Sequence, residues 1–293
     1  MDMTWRELIK YGIETLENAG ISDAESDVRV LAMHVLDCGY SELILHMTEI
    51  AGDADKTRFD ACIAERATHK PCQYITGVQN FMGYDFKTCP GVLIPRPETE
   101  LLVEKALKEA TAYGQSKNKD AVRVLDLCCG SGCIGISFAC KRKEAGFDGD
   151  KVELADISDA ATTLSTENNR RLQAGCTIIK TDLFTCLDGK YDIIISNPPY
   201  IPTDVIPGLM QEVRDFEPHL ALDGKKDGLY FYDKIIKEAR EYLHEDGVLL
   251  FEIGYDQLED VRGLLVENRY TSIEGFKDYA GHDRVVVGIK SGV

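Results

Sequence analysis

A short apolar run that leads directly into a glycine-rich turn constrains the fold of this chain more than any other feature. Residues 122–127 have the composition of a buried strand, and residues 128–135 contain three glycines before a helical pattern begins. Glycine permits positive φ and lets the backbone approach a ligand closely. A strand, a glycine turn and a helix start in this order predict an α/β unit with a ligand site at the end of the strand.

The next predicted strand, residues 151–156, ends in the carboxylate of Asp156. This acid follows the glycine turn at the distance from which a carboxylate accepts hydrogen bonds from two ribose hydroxyls in open α/β sheets. A turn or helix-capping role for Asp156 is the alternative. Strands and helices alternate along the rest of this region, which predicts a mostly parallel sheet with helices on both faces.

Asn197, Pro198, Pro199 and Tyr200, which we call the polar corner, lie directly behind the apolar run 191–196. The end of a buried strand is where open α/β sheets bind their ligands. Asparagine offers a carbonyl acceptor, the prolines lack backbone donors but keep their carbonyls, and tyrosine supplies a ring that packs on a planar group. The polar corner therefore suits a flat amide or amine, with a simple proline turn as the alternative.

The sequence divides into three regions. Residues 1–71 show apolar positions at helical spacing and predict a small helical domain, whereas residues 72–95 carry strand formers around glycines and predict a linking β-hairpin. Residues 96–293 then form the α/β domain. Within it, residues 112–120 are polar and predict a loop.

The overall charge disfavours a nucleic-acid partner. Lys and Arg number 33 against 50 Asp and Glu, which gives a formal charge of −17. Dedicated nucleic-acid binders usually carry a basic surface instead. The sequence contains no apolar stretch of about eighteen residues, and its start resembles neither a signal nor a transit peptide. We therefore expect a soluble cytoplasmic protein that does not bind a membrane.

Ten cysteines raise the question of disulfides or a metal site. Four of them lie in the glycine turn and the helix that follows, without two well-spaced Cys-x-x-Cys pairs: Cys128, Cys129, Cys133 and Cys140. This arrangement favours reduced packing residues and no bound metal.

A series of short motifs follows a recognisable order along the chain. They are Tyr74-Ile75-Thr76-Gly77 with Phe81, Leu93 to Glu100, Asp126 to Gly132, Asp182-Leu183-Phe184, Asn197 to Tyr200, Glu217-Pro218 with Ala221-Leu222, Gly228, Glu252-Ile253-Gly254 with Gln257, and Ala280-Gly281 with Arg284. Over nearly its whole length the chain resembles S-adenosylmethionine-dependent methyltransferases of Rossmann-like fold. Within them it resembles the release factor glutamine methyltransferases, which are protein-(glutamine-N5) methyltransferases. The resemblance implies an α/β domain whose mostly parallel sheet ends in an antiparallel edge hairpin, plus a small N-terminal helical domain.

The resemblance also implies which residues bind the cofactor. They are Asp126, Cys128, Cys129, Gly130, Ser131, Gly132, Asp156, Asp182, Leu183 and Asn197. In this arrangement the glycine turn wraps the methionine end of S-adenosylmethionine, Asp156 holds the ribose, and Asp182 with Leu183 borders the adenine. Cys128 departs from the usual glycine, and Leu183 replaces an aromatic residue found in some relatives.

The polar corner would bind the substrate through all four of its residues. An amide nitrogen attacks poorly because its lone pair is delocalised into the carbonyl. As the resemblance implies, the side-chain oxygen of Asn197 and the carbonyl of Pro198 accept the two amide hydrogens, and Tyr200 packs against the amide plane. Catalysis by Asn197, Pro198 and Tyr200 then means positioning the nitrogen and stabilising its growing positive charge.

No general base is assigned from the sequence. Four glutamates are candidates by location only, and each has a structural role as its alternative: Glu98, Glu100, Glu217 and Glu252. Arg96 is a candidate ion-pair partner for one of these acids.

The reaction that the resemblance implies is methyl transfer to the glutamine of the Gly-Gly-Gln motif in peptide chain release factors, leaving S-adenosylhomocysteine. The enzyme is expected to act as a monomer whose helical domain helps to grip the factor, without direct contact to nucleic acid. Three alternatives remain: methylation of a ribosomal-protein glutamine, methylation of an exocyclic amine in a nucleic acid, and a non-catalytic adaptor that keeps the cofactor fold.

Overall fold

The computed structural model describes residues 3–292. Its α-helices are α1 (Trp5–Asn18), α2 (Ala24–Leu36), α3 (Tyr40–His46), α4 (Asp53–Arg66), α5 (Cys72–Thr76), α6 (Glu100–Lys117), α7 (Cys133–Glu144), α8 (Asp159–Leu172), α9 (Gln211–Phe216), α10 (His219–Leu222), α11 (Tyr230–Tyr242) and α12 (Leu258–Glu267). Its strands are β1 (Val78–Phe81), β2 (Tyr84–Lys87), β3 (Arg123–Leu127), β4 (Lys151–Asp156), β5 (Thr177–Lys180), β6 (Tyr191–Ser196), β7 (Leu243–Glu252), β8 (Tyr270–Lys277) and β9 (Asp283–Lys290).

The described chain divides into two compact units. The first reaches Val78 and also contains Met210–Phe216, and the remaining residues form the second. The main chain therefore enters the first unit twice and contributes α9 on its second passage. The hairpin expected within residues 72–95 is formed by β1 and β2 alone, because the carbonyl of Pro71 accepts from the amide of Tyr74 and starts the helical turn α5.

An apolar core between α1, α2 and α4 holds the first unit together. The buried rings of Trp5 and Phe59 meet edge to face, with their centroids 5.7 Å apart. Arg66 is only 3% exposed at the end of α4, where its Nε donates to Asp27 on α2 at 2.6 Å. The same guanidinium pairs with Glu212 on α9. This ion network ties the segment of the second passage to the helices of its own unit.

Within the described residues, seven strands of the second unit form one sheet in the order β5-β4-β3-β6-β7-β9-β8. The strands β5, β4, β3, β6 and β7 run parallel, and β9 is antiparallel to β7 and β8. The predicted mostly parallel sheet with an antiparallel edge hairpin is confirmed. The chain leaves β3 towards β4 and β5, and β6 then pairs on the other side of β3. Such a reversal opens a crevice at the carboxyl ends of the strands.

The helix before β3 is longer than the sequence indicates. Residues 112–120 are predicted as a polar loop, but α6 continues to Lys117, so the loop prediction is wrong for most of that segment. The additional turn buries Tyr113, which is 6% exposed and packs in the same core as Val122. Asn118 then ends the helix in a left-handed conformation, with φ at 51°.

Candidate active site

The carboxyl ends of β3, β4 and β6 meet at one edge of the sheet. Leu127 pairs with Ala155 on β4 and with Ser196 on β6, so the segments that follow these strands lie side by side. They border a cavity of about 320 Å³, a volume suited to a small molecule. The sequence-predicted residues on its wall are Cys128, Cys129, Gly130, Ser131, Asp156, Asp182, Leu183, Asn197 and Pro199.

The glycine turn after β3 is fastened to the end of β4. The amide of Gly130 donates to Oδ2 of Asp156 at 2.9 Å, and the amide of Cys129 donates to the carbonyl of Ala155 at 3.1 Å. Cys128 and Gly130 both have left-handed conformations, with φ of 61° and 53°. Cys128 thus holds a conformation that glycine adopts without strain.

Two residues predicted to bind the cofactor, Asp126 and Gly132, lie outside the cavity wall. Asp126 is fully buried, its Oδ2 accepts from the amide of Gly135 at 2.8 Å, and burial raises its pKa to about 7. Gly132 precedes α7 with φ at 79°, and a Cβ there would lie 2.8 Å from side-chain atoms of Leu154 and Ile136. Both residues therefore stabilise the glycine turn and the start of α7 without lining the cavity.

Asp156 lies on the cavity wall with both carboxylate oxygens already engaged by backbone. Besides Gly130 on Oδ2, the amide of Ser158 donates to Oδ1 at 2.9 Å. Burial raises the pKa of this carboxyl, and the amide hydrogen bonds oppose the rise. Because each carboxylate oxygen has two acceptor sites, Asp156 can hold the turn and still accept from the hydroxyls of a ribose.

The wall has the chemistry that S-adenosylmethionine requires. Val92, Ile157 and Leu183 supply apolar surface for a flat purine, and the carboxylate of Asp156 suits a diol. At Gly130 an added Cβ would have only Val92 within 4 Å, at 3.9 Å, so the missing side chain leaves room beside the turn. The residues present therefore fit the cofactor.

Only two of the four residues of the polar corner line the cavity. Asn197 and Pro199 line the wall, whereas Pro198 is buried and Tyr200 points elsewhere. The hydroxyl of Tyr200 donates to Oε1 of Glu252 at 3.2 Å, and burial raises the pKa of this phenol. The structure thus brings Asn197 to the same cavity as the glycine turn and Asp156.

The glutamates suggested as bases have different surroundings. Oε1 of Glu100 accepts from the amide of Met82 at 2.6 Å. Glu217 pairs with the guanidinium of Arg96, which lies on the cavity wall. Glu98 is exposed to solvent. Glu100 and Glu217 therefore have structural partners of their own.

Several residues of the wall are not identified by sequence reasoning. They are Ile157, Leu220, Tyr230, Phe231 and Lys234. The rings of Tyr230 and Phe231 meet edge to face, with their centroids 5.1 Å apart. Adjacency is the signal that could have found some of them, since Ile157 follows Asp156 and the aromatic pair follows the matched motif residue Gly228.

The described residues contain neither a disulfide nor a cluster of metal ligands. All ten cysteines are free thiols. Among residues 3–292, His, Cys, Asp and Glu side chains nowhere form a group of three that could hold a metal ion. In the same residues, every helix is too short or too polar to cross a membrane.

Comparison with known sequences identifies two family models and a set of curated relatives. The model described as PrmC N-terminal domain matches residues 7–77, and the one described as Methyltransferase small domain matches residues 99–212. A release factor glutamine methyltransferase from Clostridium botulinum is 37% identical over 97% of this chain and 98% of its own length. The chain belongs to the release factor glutamine methyltransferase family. Relatives of the same name from Fusobacterium nucleatum (36% identical, 97% of this chain, 78% of theirs) and Clostridium acetobutylicum (38%, 91% and 92%) agree.

Membership of the release factor glutamine methyltransferase family confirms the resemblance read from the motifs. It also confirms the enzyme class, because the matches cover both the helical region and the α/β region of the chain. This protein therefore contains matches to both family models.

Proposed function

We propose that this protein transfers the methyl group of S-adenosylmethionine to the side-chain amide nitrogen of the glutamine in the Gly-Gly-Gln motif of peptide chain release factors. One observation carries the proposal: Asn197, suited to an amide, and Asp156, suited to a ribose, line the same cavity. Membership of a family whose relatives are named for this reaction gives independent support.

S-adenosylmethionine, when bound, supplies an electrophilic methyl group on a positively charged sulfur. Asp156 would hold the ribose while its two oxygens keep the Gly130 and Ser158 amides in place. The backbone of residues 128–131 would surround the methionine end, and Leu183 with Asp182 would border the adenine. Asp126 and Gly132 would act from behind the cavity, by fixing the turn and the start of α7.

Asn197 and Pro198 would orient the substrate amide by accepting its two hydrogens on the side-chain oxygen and the backbone carbonyl. Holding the nitrogen at a fixed distance and direction replaces a bimolecular encounter with an oriented one. The same two oxygens place partial negative charge beside the nitrogen as positive charge grows on it. The rigid φ angles of Pro198 and Pro199 keep these acceptors aligned.

The nitrogen loses its proton once the C–N bond has formed, when the methylated amide is strongly acidic. Since none of the four candidate glutamates lines the cavity wall, we propose solvent as the proton acceptor. Because release factors act on the ribosome, the site of action would be the cytoplasm. The formal charge of −17 disfavours contact with nucleic acid. A net charge this far from zero also favours a monomer.

A panel of acceptors tests the proposal. The purified protein and methyl-labelled S-adenosylmethionine are incubated with a release factor, with the same factor carrying alanine in place of the motif glutamine, with ribosomal protein and with DNA. We expect label on the intact factor alone. Label confined to ribosomal protein or DNA would reject the release factor as the substrate, while the assignment as a methyltransferase would stand.

A further inference from the structure

The side chain of Gln257 lies behind the polar corner and is 7% exposed. Its Nε2 donates to the backbone carbonyl of Tyr200 at 3.0 Å. We infer that Gln257 is a positioning residue, which fixes the direction of the polar corner through Tyr200 and thereby orients the substrate amide at Asn197. This inference rests on the proposed function.

One backbone donor fixes the orientation of the Gln257 amide. Its Oε1 accepts from the amide of Gly254 at 2.9 Å. The hydroxyl of Tyr232 lies 3.4 Å from the same oxygen, but its single hydrogen is donated to the carbonyl of Glu252 at 2.9 Å. If the Gln257 amide were reversed, its NH2 group would face the Gly254 amide and its oxygen would face the Tyr200 carbonyl, so Nε2 is held towards Tyr200.

The polar corner transmits this constraint because it is stiff and anchored at both ends. Pro198 and Pro199 have fixed φ angles. Before the corner, the hydroxyl of Ser196 donates to the carbonyl of Leu127 on the neighbouring strand at 2.7 Å. After it, Gln257 holds the carbonyl of Tyr200. A rotation at Tyr200 would therefore be carried through the two prolines to Asn197.

The space around the Tyr200 carbonyl leaves no room for a substitute donor. A Cβ added at Gly228 would lie 2.2 Å from this oxygen and 2.6 Å from Nε2 of Gln257. At Gly224 it would lie 2.7 Å from the main chain of Tyr200. Gaps smaller than a methyl group exclude water. Loss of the Gln257 donor would therefore leave the carbonyl unsatisfied on this side.

Gln257 lies outside the wall of the cofactor cavity. Its replacement should therefore change kcat and leave the affinity for S-adenosylmethionine unchanged. Loss of one net hydrogen bond is worth roughly 1.4 kcal/mol, which corresponds to about tenfold in rate if the whole loss is felt in the transition state.

The test compares Gln257→Met, which removes the donor at similar size, with Gln257→Glu, which can donate only when protonated. Gln115→Glu makes the same chemical change at an exposed position of α6 and serves as the control. Methyl transfer to the release factor is measured from pH 5 to pH 8, together with S-adenosylmethionine affinity and thermal stability. Thermal stability shows whether each variant is folded, and Gln257→Glu regains the donor at low pH without a further change of side chain.

We expect Gln257→Met to lower kcat about tenfold at every pH, by the hydrogen-bond estimate above. Gln257→Glu should lose as much at pH 8 and recover as the pH falls, because its protonated carboxyl can again donate to Tyr200. Gln115→Glu should show no loss. Unchanged kcat in both Gln257 variants, or a Gln257→Glu pH profile parallel to that of the wild type, would overturn the inference.

Hydrogen exchange separates this inference from the proposed function. Exchange of a peptide spanning residues 200–206 reports the order of the main chain where it leaves the polar corner, and it needs no methyl acceptor. Faster exchange in Gln257→Met, with wild-type exchange in Gln115→Glu, would support the positioning role of Gln257. This result would stand even if the wild-type protein failed to label a release factor, because that failure would reject only the proposed substrate. Wild-type exchange in both variants would reject the positioning role of Gln257.

Discussion

The hydroxyl of Tyr200 donates to Oε1 of Glu252 at 3.2 Å, which directs the ring of the polar corner towards the sheet and away from the cavity. Tyr200 packs there against the apolar core that contains Phe251. Glu252 is 2% exposed, and burial raises its pKa. The packing of Tyr200 on a substrate amide stays a prediction, whereas its contact with Glu252 anchors the end of the corner.

Replacing Asn197 with alanine removes the side-chain acceptor of the substrate amide and leaves the glycine turn untouched. We expect Asn197→Ala to lower kcat by at least about a hundredfold, the range seen when one charge-stabilising group is removed. The affinity for S-adenosylmethionine, measured by calorimetry, should stay within about threefold of the wild type. In free energy this change is smaller than the contribution of a typical hydrogen bond. Equal loss of transfer and of cofactor affinity would refute the assigned role.

Asp156→Asn tests the ribose site. An asparagine has one acceptor oxygen, so it cannot hold the Gly130 and Ser158 amides and also accept from a diol. Affinity for S-adenosylmethionine should fall about 10- to 100-fold, as expected for a lost hydrogen bond to a charged group. Asp159→Asn makes the same change at an exposed neighbour that pairs with Lys180 and should leave affinity unchanged. A defect in kcat alone would contradict this assignment.

Gly228→Ala places a methyl group 2.2 Å from the Tyr200 carbonyl at a residue with φ of 75°. Displacement of the polar corner should reduce kcat at least tenfold, which corresponds to an increase of at least about 1.4 kcal/mol in the activation free energy. Gly146→Ala is the matched control, because φ there is 88° but nothing lies within 4 Å of the added Cβ. It should cost about 1 kcal/mol of stability and leave transfer intact. Similar activity in the two variants would show that the close approach to Tyr200 is unimportant.

Asp126 makes stability depend on pH. Burial raises the pKa of this carboxyl from 3.8 to about 7, and Oδ1 has no hydrogen-bond partner among residues 3–292. As the pH rises through this window the unfolded chain releases the proton and the folded protein keeps it, so the contribution of Asp126 to stability declines and is level above about pH 7. The decline amounts to a few kcal/mol, at about 1.4 kcal/mol per unit.

Asp126→Asn keeps an acceptor for the Gly135 amide and removes the titration. Urea unfolding at several pH values should show that the difference in stability between variant and wild type grows in favour of the variant from about pH 4 to about pH 7 and is constant above it. A difference that does not change with pH would show that Asp126 titrates alike in the folded and unfolded chain.

The fold follows from sequence signals that are local and strong. The apolar runs that precede the glycine turn, Asp156 and the polar corner correspond to β3, β4 and β6, and the bounds of β4 and β6 match residue for residue. The end of α6 was harder to predict, because the polar residues around Tyr113 hide a ring that is buried only by packing against distant parts of the chain.

The sequence predicts the site residues that directly follow strands. It does not predict the tertiary contacts that these residues make. The order of the motifs places Asp156 and Asn197 at the ends of two parallel strands, β4 and β6, which lie on either side of β3. It does not reveal that Asp126 lies behind the turn, that Tyr200 bonds to Glu252, or that Gln257 reaches its carbonyl. The two contacts of Tyr200 join positions more than fifty residues apart, and the geometry of all three contacts depends on the packed sheet.

The proposed reaction requires the polar corner to present a glutamine amide nitrogen for methylation. Fragment mass spectrometry of a release factor, after reaction with the wild-type protein and with Asn197→Ala, tests this requirement. We predict the added mass of one methylene on the side chain of the Gly-Gly-Gln glutamine with the wild type, and none with the variant. Added mass on any other residue, or equal modification by both proteins, would contradict the account.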